Sequence, residues 1–141
     1  MANECLNVLM VRKDEDTDAL VRFCQRAQDP TTPDAVLSFN RFVPVPEDQK
    51  GSEYEWCRHN WGTGCDAYDS SITFSNERTA IFIFITRWEP PLKWVRSVID
   101  EFETLEFTLQ YVDYTLPMCG VVASSWGRVL TEAHSGIARG G

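Results

Sequence analysis

The chain has 141 residues, a length that suits one domain burying roughly two thirds of the surface its unfolded form would expose. Its 13 basic and 21 acidic residues leave a net charge of −8, without the clustered Lys and Arg that phosphate neutralisation needs, which argues against a general nucleic-acid binder. Five cysteines with no C-x-x-C, no basic-then-apolar leader and no apolar run long enough for a bilayer predict a cytoplasmic protein with free thiols and no membrane partner.

In chain order, Cys5 to Lys13 is a Val- and Leu-rich run that reads as a first strand. The acids Asp14, Glu15, Asp16 and Asp18 precede Leu20, Val21, Phe23, Cys24 and Ala27, whose spacing predicts a helix from about Asp16 to Gln28. Pro30 and Pro33 stop it. From Asp34 to Tyr54 the spaced prolines Pro44 and Pro46 suggest an extended, polyproline-like insertion, with Glu47 to Ser52 as a solvated loop.

Cys65 to Phe74 alternates, placing Ala67, Asp69, Ser71 and Thr73 on one side and Asp66, Tyr68, Ser70, Ile72 and Phe74 on the other. After a turn at Ser75 to Arg78, Thr79 to Trp88 is nearly all apolar and predicts a central strand buried on both faces, paired antiparallel with the one before. Pro90 and Pro91 suit a helix start, and Leu92, Val95, Val98, Ile99, Phe102 and Leu105 give that helix an apolar face. Glu106 to Tyr114 alternates as a further strand, and Thr115 to Gly120 reads as a turn. Val121 to Glu132 then supplies a strand or hairpin with Gly127 as its weak point, and residues 136–141 are expected as a flexible tail to a single domain over 1–135. The predicted fold is α+β: a ferredoxin-like βαββαβ arrangement with an insertion after the first helix and a C-terminal β extension.

The stretch from Trp56 to Asp69 departs most from ordinary sequence, packing two Trp, two Gly and two Cys into a run that reads as a structured turn ahead of a strand. Its core, Asn60-Trp61-Gly62-Thr63-Gly64-Cys65-Asp66-Ala67-Tyr68, is followed by Thr86-Arg87-Trp88-Glu89-Pro90-Pro91 and by Phe107-Thr108-Leu109-Gln110-Tyr111. Together these resemble the YubB-type ferredoxin-like domains of plasmids and phages, which typically read N-W-G-T-K-W-N-A-Y and then T-A-W-x-P-P. Gly64, Cys65 and Arg87 stand where that pattern has Lys, Trp and Ala. The resemblance implies the fold and a mobile-element origin, and brings no reaction with it.

Three chemistries compete at the same residues. Cys57, His59, Cys65 and Cys119 offer zinc-type donors, but C-x-H followed by a lone Cys matches no standard pattern, so the expectation is no metal and no cofactor. Cys57 and His59 would make a nucleophilic pair only with an orienting carboxylate, which no diagnostic position supplies, so the enzyme reading is open and disfavoured. His134 is expected as an exposed side chain in the flexible end. Trp56, Trp61, Tyr68, Trp88 and Trp94 either close a sheet face or line an aromatic pocket, with Arg58, Arg87 and Lys93 near enough to hold phosphate and the amides around Gly62 and Gly64 adding anion contacts.

The expectation is a non-enzymatic binding protein, an accessory or anti-defence protein of a phage or plasmid. It would act through a protein interface at Trp61, Gly62, Thr63, Gly64, Asp66, Tyr68, Arg87 and Trp88. A second, acidic interface at Asp14, Glu15, Asp16 and Asp18, with Glu47, Asp48, Glu53 and Glu55, would mimic phosphate toward a basic, nucleic-acid-handling host protein. Homo-oligomers are open, and the alternative is a nucleotide-binding or sequestering protein, or an enzyme, centred on the Trp-Gly motif.

Overall fold

The computed structural model describes residues 3–113 and 118–136. The elements are β1 (Glu4–Lys13), α1 (Ala19–Ala27), α2 (Glu53–Asn60), β2 (Tyr68–Ser75), β3 (Thr79–Arg87), α3 (Leu92–Glu101), β4 (Leu105–Asp113), β5 (Met118–Ser125) and β6 (Arg128–Gly136), with short 3-10 turns at Phe39–Arg41 and Glu47–Gln49. All six strands form one antiparallel sheet in the order β2-β3-β1-β4-β5-β6. In its first four members, β1 sits between β3 and β4, so each half of the chain crosses over a helix to reach a strand two places away. This is the ferredoxin-like arrangement, and β5 and β6 extend it past β4.

One sheet face is covered. Leu9 and Val11 of β1, Phe82 and Phe84 of β3, and Phe107 and Leu109 of β4 meet Phe23 of α1 and Trp94, Val95, Val98 and Ile99 of α3, all of them buried. Aromatic edges fill this layer: Phe23 lies 5.5 Å from Phe107 and 5.0 Å from Phe42, and Phe39 lies 4.7 Å from Trp94. Such contacts contribute on the order of 1 kcal/mol each beyond area burial.

Several expectations are corrected. Helix α1 starts at Ala19 instead of Asp16, because Thr17 N–H bonds to Glu15 O and Lys13 draws Asp16 to 3.6 Å, winding the acids into a loop before the helix begins. The segment from Asp34 to Tyr54 is not an extended strap: it turns twice in 3-10 form and buries Leu37, Phe39 and Phe42 in the core. Strand β2 starts at Tyr68, and register shifts after Tyr68 and Ile72 break the simple alternation; Asp69 takes φ 50 within the first shift. Strand β3 is buried on one face only, since Ile81, Ile83 and Ile85 remain half-exposed on the other. Met118–Gly120 belong to β5, while the turn expected at 115–117 falls outside the described residues. The chain is still in β6 at Gly136, and the rest of the expected tail, 137–141, likewise falls outside them.

Candidate functional site

The Trp-Gly motif divides into a buried clasp and an exposed hollow. Its first part is helical: Glu53 to Asn60 form α2, with Glu53 and Glu55 in the first turn and Arg58 and His59 in the last. Acids at the N-terminal end and bases at the C-terminal end favour a helix through its macrodipole. That charge order was the available signal for an element the sequence reading took as a turn.

After α2 the chain clamps three elements together. Trp61 is 2% exposed, and its indole N–H donates to Val43 O at 2.9 Å, fixing the insertion. Trp94 N–H of α3 donates to Trp61 O at 3.1 Å, and the buried Thr63 hydroxyl donates to Arg87 O at 2.8 Å. Gly62 has φ +91, and a Cβ there would sit 3.1 and 3.2 Å from the amide nitrogens of Leu92 and Lys93, so the backbones of the turn and α3 approach closely enough to require glycine. Asp66 accepts hydrogen bonds from Ser38 Oγ at 2.8 Å, Phe39 N at 2.6 Å, Asn40 N at 3.1 Å and Ala67 N at 2.7 Å. Burial pushes its carboxyl upward against those donors. Trp61, Gly62, Thr63 and Asp66 therefore build the scaffold, and of these four only Asp66 also borders the hollow formed by the remaining residues.

The other predicted site residues face outward. Gly64, Asp66, Tyr68, Arg87 and Trp88, joined by Tyr54 and Cys65, line a hollow of about 620 Å³ at the end of the sheet where β1 begins and β3 finishes. Tyr54 of α2 lies over Gly64, where a Cβ would come within 2.4 Å of its ring. Tyr68 donates to Glu4 Oε2 at 2.7 Å; burial, with Glu4 beside it, pushes its phenol up to about 12. Arg87 lies 5.8 Å above the Tyr68 ring and has no ion-pair partner among the described residues. Trp88 is 42% exposed and has φ 68. Left-handed backbone at a bulky residue costs about 1–3 kcal/mol.

The acidic residues Asp14, Glu15, Asp16 and Asp18 are exposed but lie beyond the opposite end of β1, roughly 30 Å away along a ten-residue strand. Asp16 and Asp18 are engaged by Lys13 and Arg22. The acids of this loop and the hollow are thus two separate surfaces, whereas Glu53 and Glu55 flank Tyr54 in α2 beside the hollow.

The chemical alternatives separate as clearly. Cys57 and His59 sit two apart on a helix, about 200° around its axis, so the thiol is buried and the imidazole exposed. Burial, with Asp66 next, pushes the Cys57 thiol up to about 11, and burial also raises Cys65 despite Arg87. Neither favours the thiolate that nucleophilic attack requires. Among the described residues, no group of three or more His, Cys, Asp or Glu side chains gathers as metal ligands. Of the five rings weighed for an aromatic pocket, Trp61 and Trp94 are core, Trp56 packs 5.6 Å from Trp61, and only Tyr68 and Trp88 reach the hollow.

His134 is exposed, as expected, but it is not in a loose end. It lies in β6, where its Nδ1 is 2.6 Å from the Tyr111 hydroxyl and its Nε2 2.7 Å from Glu132, which also pairs with Arg96 of α3. No spacing in the sequence showed this chain of contacts, because it depends on β4, β5 and β6 placing Tyr111, Gly120 and His134 side by side.

Strand order and helix placement define a ferredoxin-like α/β domain, with a cleft of aromatic rings and the Arg87 guanidinium at its edge. Residues 67–137, half of the chain, match the family model described as a ferredoxin-like domain in Api92-like protein, and the chain belongs to that family. No curated protein and no solved structure matches it. No helix among the described residues is long and apolar enough to cross a membrane.

Proposed function

We propose that this is a non-enzymatic binding protein that docks another protein at the hollow formed by Tyr54, Tyr68, Arg87 and Trp88. The observation carrying this reading is Trp88, an exposed indole held in costly left-handed backbone beside two Tyr rings and Arg87, which has no ion-pair partner among the described residues. Trp, Tyr and Arg dominate interface energetics because each buries a large face while offering a directed donor. The partner that fits has an apolar or aromatic knob for the hollow, a carboxylate for Arg87 and basic residues for the acidic surroundings. The finer assignment to YubB-type domains, and with it the role of an accessory or anti-defence protein of a phage or plasmid, rests on the motif resemblance. The ferredoxin-like domain with an insertion after α1 and a β extension is the frame that holds the hollow.

The test is affinity capture from host lysate with the wild-type chain, Trp88→Ala and a variant with Asp14, Glu15, Asp16 and Asp18 changed to Asn or Gln. Capture lost with Trp88→Ala and kept by the loop variant supports docking at the hollow. Loss only in the loop variant instead supports the acidic mimic.

A second reading is favoured by the size of the hollow, since about 620 Å³ is within the range of small-molecule sites. Tyr54, Tyr68 and Trp88 would stack on a base and Arg87 would hold phosphate. Thermal-shift measurements with nucleotides, cyclic dinucleotides included, check it; no shift at millimolar ligand discards it.

A further inference from the structure

The helices cover one face of the sheet, and among the described residues no element covers the other. On its four central strands, the positions on that side between the charged ends include Leu6, Val8 and Met10 of β1, Ile81, Ile83 and Ile85 of β3, Thr108, Gln110 and Val112 of β4, and Cys119, Val121 and Ala123 of β5. Met10, Gln110 and Cys119 are exposed and the others half-exposed, as expected where neighbouring side chains shield one another and no described element lies on top. Phe74 of β2, 49% exposed, continues the surface past Ile81. The centre of this face has no charged residue, although 24% of the chain is charged.

Charges stand only at the two ends, each a cation beside an anion: Glu4 opposite Arg87, and Arg12 opposite Glu106 at 3.7 Å. Of the 21 acidic residues, Glu4 and Glu106 alone take this side of the four central strands. The geometry points to a twofold homodimer in which two copies of this chain pack their open sheet faces together. Two molecules of charge −8 repel through most of their surfaces, and this face is where a second copy approaches without bringing acid against acid. With strands antiparallel between copies, the Glu4/Arg87 end of one meets the Arg12/Glu106 end of the other, so the surface is complementary to itself as an isologous contact requires. Six strands spaced about 4.8 Å apart and roughly 25 Å long give about 700 Å² per copy. A standard specific interface buries about 800 Å² per partner, so the area suffices for a specific dimer.

Sedimentation velocity of the full chain over a dilution series into the millimolar range tests this. The expected result is a species of twice the chain mass that reverts to the single-chain mass in Val8→Lys and in Gln110→Glu, with Trp88→Ala still dimeric. Gln110 is exposed and polar, so Gln110→Glu decides the matter should Val8→Lys fail to fold. A wild-type chain that stays monomeric, or a dimer that survives Gln110→Glu, overturns the proposal. Arg87 belongs both to the end of this face and to the hollow, whereas Trp88 lies outside the face, so a failed dimer leaves the Trp88 docking test standing.

Discussion

The two glycines of the motif separate structural from functional roles. At Gly62 a new Cβ meets backbone nitrogens at a positive φ, so Gly62→Ala is expected to destabilise by about 1–3 kcal/mol in a urea titration. At Gly64 the obstacle is the ring of Tyr54, an exposed side chain that can swing aside. Gly64→Ala is therefore expected to leave stability nearly unchanged while weakening partner binding severalfold by displacing Tyr54 from the hollow. Trp61→Phe keeps most of the buried ring but removes the donor to Val43 O, and the orphaned carbonyl is expected to cost about 1–3 kcal/mol by the same measurement. The sequence marked Trp61, Thr63 and Asp66 as special because their residue types are demanding. It did not show that the demand is structural, since their partners Val43, Arg87 and Ser38 lie at chain separations no local pattern encodes.

Among the elements, the strongly periodic ones were legible: β1, β3 and β4 stand within a residue or two of where apolar spacing places them, because each buries a continuous face. Helix α3 begins at Leu92 but stops at Glu101, so Phe102 and Leu105 of its expected face lie beyond it, Leu105 already in β4. Helix α2 and the 3-10 turns were hidden, their local pattern being short and polar and their order coming from Phe39, Phe42 and Trp61 reaching a common core. The β5–β6 hairpin closes through Trp126 and Gly127, both at positive φ (53 and 72), a two-residue turn of the type that matches strand twist. Strand β6 is exposed throughout, and the contacts of Glu132 with His134 and Arg96 help hold it to the rest. Those contacts, His134 first, depress the Glu132 carboxyl below its ordinary value of 4.5. A depressed acid gives stability that is present above 4.5 and is lost as pH falls through the lower folded-state value. Amide exchange followed by NMR is expected to show β6 loosening in that acidic window before the core strands; a Glu132→Gln chain should show the loosened hairpin already at neutral pH.

At the scale of the molecule, three surfaces stand apart: the acidic loop after β1, the hollow at the other end of that strand, and the open sheet face between them, which shares Arg87 with the hollow. Charge composition pointed to the first, and a motif to the second, although half of that motif proved to be scaffold. The third lay concealed in β3, whose nearly unbroken apolar run reads as burial on both faces while the helices cover only one. The central functional claim is that the exposed aromatic end of the sheet recognises another protein. It is tested most directly by quantitative affinity capture comparing the wild-type chain with Trp88→Ala and Tyr54→Ala, each verified as folded by its thermal transition. Retained folding with loss of a specific captured protein in both variants is the predicted result, and undiminished capture in both would contradict it.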